Sequence, residues 1–424
     1  MKNTLLLLFF PFVMFSQGYT SFFVGNTTNI TTSPTMGICL MGGATENDNA
    51  MKWLLQRANG GDVVVLRTSG GSGYNNYFFS QLGVTVNSVE TLLVSSAAGA
   101  TNPYVLDKVA NAEMIWFAGG DQALYVNYFK DNAMETALNN HINVKQAPIG
   151  GTSAGMAILS GRYFSALNGS VTTAEALANP YNNKVTLGNN DFLNLPFLSN
   201  VTTDTHFDNP DRRGRLSAFL ARRATETGVR SFGISCEEFT AVCIDAYGKA
   251  SVYGNFPTNQ DFAYFVQANC QSPFVPETCV AGTPLTWNRA GEALKVYKVA
   301  GTQTGANFFE IPNWTAGSGG TWEHWSVTGG SFASIDGSAN TCFLSATAFE
   351  TNDLVLFPNP ANNVLNVSEF TNARLQILNL QGQVVIEVSN NDQLELDVSG
   401  LSAGTYLITI EKDGQLLRKK FLKD

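Results

Sequence analysis

Several short segments are apolar along their whole length rather than at every second residue, and this limits the fold more than any other feature of the chain. Residues 37–43 (Gly-Ile-Cys-Leu-Met-Gly-Gly), 62–67 (Asp-Val-Val-Val-Leu-Arg), 88–94 and 113–118 (Glu-Met-Ile-Trp-Phe-Ala) all have the length of a strand. A strand without a polar face has to be covered on both sides, as in a parallel sheet sandwiched between helices. Helical patterns at 48–58, 77–82 and 104–112, and a long one at 123–139, separate these runs. The alternation predicts an α/β domain with a parallel sheet, in which chemistry collects where the strands end.

One such end carries a specific motif. Gly151-Thr-Ser153-Ala-Gly155 fits G-x-S-x-G, with a short apolar run ending at Ile149 before it and the helix formers Ala154 to Leu159 after it. Strand, tight turn and helix in that order form a nucleophile elbow, which lifts a serine hydroxyl out of the sheet. The elbow holds its serine in a strained conformation, and small neighbours let the two backbone arms approach each other. The Ala154 amide is then free to stabilise an oxyanion. A Gly/Ser-rich loop matches the same pattern by chance. Gly119-Gly-Asp-Gln122 ends another strand, so the Gly120 and Asp121 amides are candidates to complete the oxyanion site, with Gln122 facing substrate. A plain strand-to-helix turn capped by Asp121 fits equally.

A serine nucleophile needs a base, and the chain has three histidines. His141 ends the long helical pattern, and His324 sits among aromatics in Trp322-Glu-His-Trp325. His206 alone lies in a charge-dense segment, Asp204-Thr-His-Phe-Asp-Asn-Pro-Asp-Arg-Arg-Gly-Arg215, and is the expected base. Of the acids between Ser153 and His206, Asp204 is too near in sequence to reach the far ring nitrogen. Glu175 is therefore the expected third member, against the alternative of an ordinary solvent-facing helix residue. Residues 232–244 predict a strand pair interrupted by Glu237 and Glu238, two carboxylates that are costly there unless functional or paired. From 248 to about 340 the pattern changes to short strands and Gly-rich loops.

The remaining signals set the context. Residues 1–17, a basic start followed by an apolar core too short to span a bilayer, predict a signal peptide, and no later run is long enough for a membrane span. Export permits disulfides. Of the six cysteines, Cys270 and Cys279 flank a Pro-rich loop and are the expected pair, while Cys39 is expected as a buried thiol. A net charge of −9 with no Lys/Arg-dense stripe excludes a nucleic-acid surface. No His/Cys cluster suggests a metal, and no cofactor is expected.

Taken together, Gly150-Gly-Thr-Ser-Ala-Gly155, Gly119-Gly-Asp-Gln122, Asp204-Thr-His-Phe207 with Arg212 and Arg215, and Gly233-Ile-Ser-Cys-Glu-Glu-Phe-Thr-Ala241 resemble the cyanophycinase family of serine peptidases, over about residues 35–310. The resemblance implies an α/β parallel-sheet sandwich of the class I glutamine amidotransferase-like (flavodoxin-like) type. It implies Ser153 as nucleophile, His206 as base and Glu175 as acid, with Gln122, Asp204, Arg212, Arg215 and Glu238 lining the pocket for a peptide substrate. A glutaminase on the same fold would carry cysteine at the elbow. Pro210 stands where cyanophycin-cleaving members carry an arginine, and Thr205 where they tend to have Gln. Loss of a guanidinium removes a bidentate carboxylate contact, so the implied activity is hydrolysis of an Asp-containing peptide or isopeptide bond, with the substrate itself left open.

Near the C-terminus, residues 354–367, 375–384 and 401–410 alternate apolar and polar residues between turns, which predicts a small all-β sandwich. This segment is similar to the sorting domain of type IX secretion cargo, implying the secretion machinery as a partner and a secreted or cell-surface location. The expected domains are a signal peptide at 1–17, a peptidase domain at 18–345 and a sorting β-domain at 346–424. A homodimer stays open. The rival expectation is a catalytically inactive surface protein that binds peptide or glycan.

Overall fold

The computed structural model describes residues 17–339, 356–367, 374–379, 383–389, 395–412 and 415–424. The expected leader, apart from Gln17, lies outside the described residues. The chain divides into two compact units, Met1–Thr341 and Cys342–Asp424. Among the described residues no helix is long and apolar enough to cross a membrane.

The first unit begins with β1 (Tyr19–Gly25), β2 (Gly37–Met41), α1 (Asp48–Arg57), β3 (Asp62–Arg67), α2 (Gly73–Asn76), β4 (Ser88–Val94), α3 (Ala97–Ala100) and α4 (Pro103–Asn111). It continues through β5 (Met114–Phe117), α5 (Gln122–Phe129), α6 (Ala133–Asn143), β6 (Ile149–Thr152), α7 (Ala154–Ala157), α8 (Thr173–Ala178), β7 (Val201–Asp204) and α9 (Arg213–Thr227). The rest is strands: β8 (Phe232–Cys236), β9 (Ala241–Asp245), β10 (Lys249–Tyr253), β11 (Phe262–Ala268), β12 (Leu294–Ala300), β13 (Phe308–Glu310), β14 (Gly317–Ser318), β15 (Gly320–Thr328) and β16 (Ser331–Asp336).

A ten-stranded sheet runs β1-β4-β3-β5-β6-β2-β9-β10-β13-β14. Its five central strands, β4 to β2, are parallel. The continuous apolar runs explain this arrangement. Ile38 and Leu40 of β2, with Val64 and Leu66 of β3, enter one core cluster together with Tyr125, Phe129 and Leu138 of the helices. The intervening Cys39, Met41, Val63 and Val65 enter another, with Met51, Leu54 and Leu55 of α1. Alternate residues of one strand thus bury against different layers, which requires a strand apolar on both faces.

Three expectations about the sheets and helices need correction. The sheet is mixed rather than parallel throughout, with antiparallel strands at both flanks, and a second sheet, β16-β15-β12-β11-β8-β7, is parallel only at β7–β8. The predicted long helix at 123–139 is two helices. Asp131 adopts φ 59°, and the Asn132 side chain caps α6 by accepting from the Met134 amide at 2.9 Å. Finally, β8 and β9 do not pair with each other: β8 joins β7 and β11 in the second sheet, whereas β9 lies antiparallel to β2 in the first. The connection through Glu237 and Glu238 therefore passes from one sheet to the other.

The expected Cys270–Cys279 bridge is not made. Cys279 is a free buried thiol, whereas Cys270 is disulfide-bonded. Cys39 is a free buried thiol, and no group of three or more potential metal ligands occurs among the described residues.

The second unit contains β17 (Leu356–Phe357), β18 (Val364–Val367), β19 (Arg374–Leu378), β20 (Val384–Ser389), β21 (Glu395–Asp397), β22 (Gly404–Lys412) and β23 (Gln415–Lys423). These form two antiparallel sheets, β17-β18-β21 and β20-β19-β22-β23. Leu356, Leu365, Ile377, Ile408 and Phe421 form its core.

Candidate active site

The site forms where β2, β5 and β6 end, because parallel neighbours release their following loops at the same edge. Ser153 follows β6 directly and occupies φ 52°, ψ −117°, a region that costs about 1–3 kcal/mol for a residue with a side chain. The elbow glycines make this turn feasible. A Cβ on Gly151 would stand 2.6 Å from the Gly155 carbonyl carbon, and one on Gly155 would collide with the Phe117 carbonyl oxygen. Only two bare backbones pass this closely. The Ser153 amide donates to the Met41 carbonyl at 3.1 Å, tying the turn to β2.

His206 follows β7 and its imidazole faces the elbow. Its Nε2 lies 2.9 Å from Ser153 Oγ, and its Nδ1 lies 2.6 Å from Glu238 Oε1. With the ring proton on Nδ1 donated to the carboxylate, Nε2 accepts from the serine hydroxyl. The ring fits against the β2 loop: the His206 amide donates to the Gly42 carbonyl at 2.8 Å, and a Cβ on Gly43, at φ 130°, would overlap the imidazole. A hydroxyl, an imidazole and a carboxylate in hydrogen-bonded series are what nucleophilic acyl transfer requires.

The carboxylate at His206 is Glu238, not Glu175. Glu175 closes a capping box at the start of α8, where Oε2 accepts from the Thr172 amide at 2.9 Å and Oε1 pairs with Lys184 Nζ at 2.6 Å. Its pKa is lowered to about 2, first by the hydrogen bond from Lys184 and then by those from Thr172. Glu175 thus serves its own helix. Glu238 was expected in the substrate pocket and instead spends its carboxylate on the imidazole. The signal that would have found it was in the sequence, in the two adjacent carboxylates between apolar runs.

Asp204 and Arg215, expected in the pocket, are turned to each other. Their side chains are 3% and 5% exposed and pair bidentately, Nε to Oδ2 at 2.9 Å and Nη2 to Oδ1 at 2.5 Å. Asp204 Oδ1 also accepts from the Thr205 amide at 2.8 Å, and Arg215 Nη1 reaches the Val171 carbonyl at 3.2 Å. The pair anchors the His206 loop on α9, and its burial keeps it from solvent. Arg212 adds a third tie, Nη1 donating to the Thr205 carbonyl at 2.8 Å, while its Nε is buried without a partner. Burial, and next the neighbouring Arg215, lower the Arg212 pKa.

Of the expected oxyanion residues, Ala154 adjoins Ser153 in the chain. Ala154 is the first residue of α7, so its amide has no partner within the helix. Gly119 passes alongside, where a Cβ on it would stand 3.5 Å from Ser153 Cβ, and Gly120 adopts φ 149°. Asp121 caps α5 by accepting from the Ala123 amide at 2.9 Å, and half-buried Gln122 opens that helix. The other histidines stand elsewhere. His141 is buried and bonds the Pro148 carbonyl at 3.0 Å, and His324 contacts Lys295 Nζ at 2.9 Å.

Comparison with known proteins gives two kinds of likeness. Residues 355–424 match the family described as secretion system C-terminal sorting domain. The chain accordingly carries the tail that directs export through type IX secretion, to the cell surface or the medium. Over 191 residues, 45% of the chain, it is 27% identical to a cyanophycinase of Synechococcus elongatus and equally to one of Thermosynechococcus vestitus. The chain spans about half (56%) of the length of these curated relatives. Among solved structures, it resembles a peptidase from an acI-B1 Actinobacterium, with TM-score 0.39 and 16% identity over 53% of this chain and 89% of that one. It also resembles a putative peptidase E protein from Listeria monocytogenes, with TM-score 0.33 and 15% identity over 52% of this chain and 98% of that one.

Proposed function

We propose that the chain is an exported serine peptidase that cleaves an Asp-containing peptide or isopeptide bond through an acyl-enzyme. The observation that carries this is the hydrogen-bonded series Ser153–His206–Glu238, at 2.9 Å and 2.6 Å, on a strained elbow. Ser153 Oγ attacks the carbonyl carbon while His206 Nε2 takes its proton, and Glu238 holds the resulting imidazolium. The Ala154 amide and those of Gly120 and Asp121 receive the oxyanion. His206 then protonates the departing amine, and water repeats the sequence to release the acid. Gln122 and Arg212 are the residues assigned to substrate, Arg212 by offering a guanidinium to a carboxylate. The frame is taken as class I glutamine amidotransferase-like, with a peptidase domain at 18–345 and a sorting domain at 346–424.

The aspartate preference rests on the likeness to cyanophycinases. The test is digestion of cyanophycin and of a panel of Asp-Xaa peptides and isopeptides by the full chain, with Ser153→Ala as control. Release of product by the wild type alone supports the proposal. No turnover across the panel would favour a binding role at the cell surface.

A further inference from the structure

The connection that delivers Glu238 to His206 crosses between two sheets, and it carries a second, buried carboxylate. Glu237 points away from the imidazole. Its Oε2 accepts from the Phe262 amide at 2.9 Å and its Oε1 from the Tyr264 hydroxyl at 2.7 Å, both on β11. Its own amide donates to the Phe262 carbonyl at 3.0 Å, and its carbonyl accepts from the Thr240 amide at 3.3 Å. Gly42 packs so closely on that carbonyl that a Cβ there would overlap it. On the other side, the Glu238 amide donates to Asp208 Oδ1 at 2.9 Å, two residues beyond His206.

We propose that Glu237 is a positioning residue for the triad: by fastening the turn to β11 it keeps the Glu238 carboxylate within reach of His206 Nδ1. This rests on the assignment of Ser153, His206 and Glu238 above. A turn needed only to link two strands has no use for a carboxylate at 8% exposure, where desolvation opposes its charge. That desolvation raises the Glu237 pKa to about 7, against the hydrogen bonds from Tyr264 and Phe262, which lower it. Asp208 raises it further and Lys298 of β12 lowers it, while Glu323 of β15 and Arg213 of α9 act on Tyr264 beside it.

The test uses a fluorophosphonate, in which Ser153 Oγ would bond to phosphorus, fluoride would leave and the serine proton would pass to His206. No natural substrate is needed. Labelling rates of the full chain are measured for the wild type, Glu237→Ala, Glu237→Gln and Tyr264→Phe, with thermal melting followed in parallel. Glutamine keeps the anchor, because its carbonyl accepts from Phe262 and its amide donates to the tyrosine oxygen, but it carries no charge. The expected result is about 30-fold slower labelling of Glu237→Ala and recovery to within about 3-fold in Glu237→Gln. Tyr264→Phe, which removes the hydroxyl that holds Glu237 Oε1, should slow labelling by about 5-fold. Wild-type rates in Glu237→Ala overturn the inference. So do wild-type rates in Tyr264→Phe, a readout that survives if the alanine variant fails to fold. An unlabelled wild type overturns the triad assignment and takes this inference with it.

Discussion

Exchanging Glu238 for glutamine changes one atom in the chain of three groups and leaves its packing alone. The native contact is a 2.6 Å bond between imidazole Nδ1 and a carboxylate oxygen. A glutamine there has two options. Its carbonyl accepts from Nδ1–H, which keeps the tautomer but loses the charge that stabilises the imidazolium. Alternatively its amide donates to Nδ1, which puts the ring proton on Nε2, where it can no longer accept from Ser153. Both outcomes remove transition-state stabilisation, and the expected loss in kcat is about 10²- to 10⁴-fold, or about 3–5 kcal/mol. KM should change little, because Glu238 faces the imidazole and not the substrate. Glu175→Gln is the matched control, since Glu175 bonds only Thr172 and Lys184, and its kcat should stay within about 2-fold of wild type. The assay is initial-rate kinetics on the best substrate of the panel, or the fluorophosphonate labelling rate. A large loss in Glu175→Gln with an active Glu238→Gln would refute the assignment.

Other outcomes follow from the same geometry. Gly43→Ala places a methyl group against the imidazole at a backbone angle that disfavours side chains, so labelling of Ser153 should slow by at least about 10²-fold while the protein still melts cooperatively. Arg215→Met strands Asp204 as a buried unpaired charge and should lower the urea-unfolding free energy at pH 7 by about 3–5 kcal/mol, much of it restored in Asp204→Leu/Arg215→Met. Burial lowers the His141 pKa to about 4, below its ordinary 6.5. The neutral ring therefore contributes stability that is complete above pH 6.5 and lost as pH falls toward 4, an effect of about 3 kcal/mol. The stability advantage of wild type over His141→Gln should shrink by that amount across this window in urea titrations.

The sequence revealed elements whose character is local. Runs apolar on both faces marked β2, β3 and β5, and G-x-S-x-G marked the elbow because strand, turn and helix are contiguous there. The base was legible for a related reason: His206 alone sits among charges. The acid was hidden by topology. Residues 232–244 read as a hairpin, and in a hairpin Glu238 would sit at a tip remote from His206; splitting β8 and β9 between two sheets turns it inward instead. Asp204 and Arg215 looked like pocket residues because charge density does not reveal burial. Their pairing across eleven positions depends on how α9 packs under β7, which no local pattern encodes. The second helix of 123–139 escaped notice because its break rests on one residue, Asp131, entering the left-handed region within an otherwise helical pattern.

The most direct test of the central assignment is the site of covalent capture by a fluorophosphonate, mapped by peptide mass spectrometry on the full chain. A single adduct on Ser153, absent in Ser153→Ala and at least about 10²-fold slower in His206→Ala, is the expected result. An adduct on another residue, no adduct at all, or capture at Ser153 that is indifferent to the loss of His206 would contradict it.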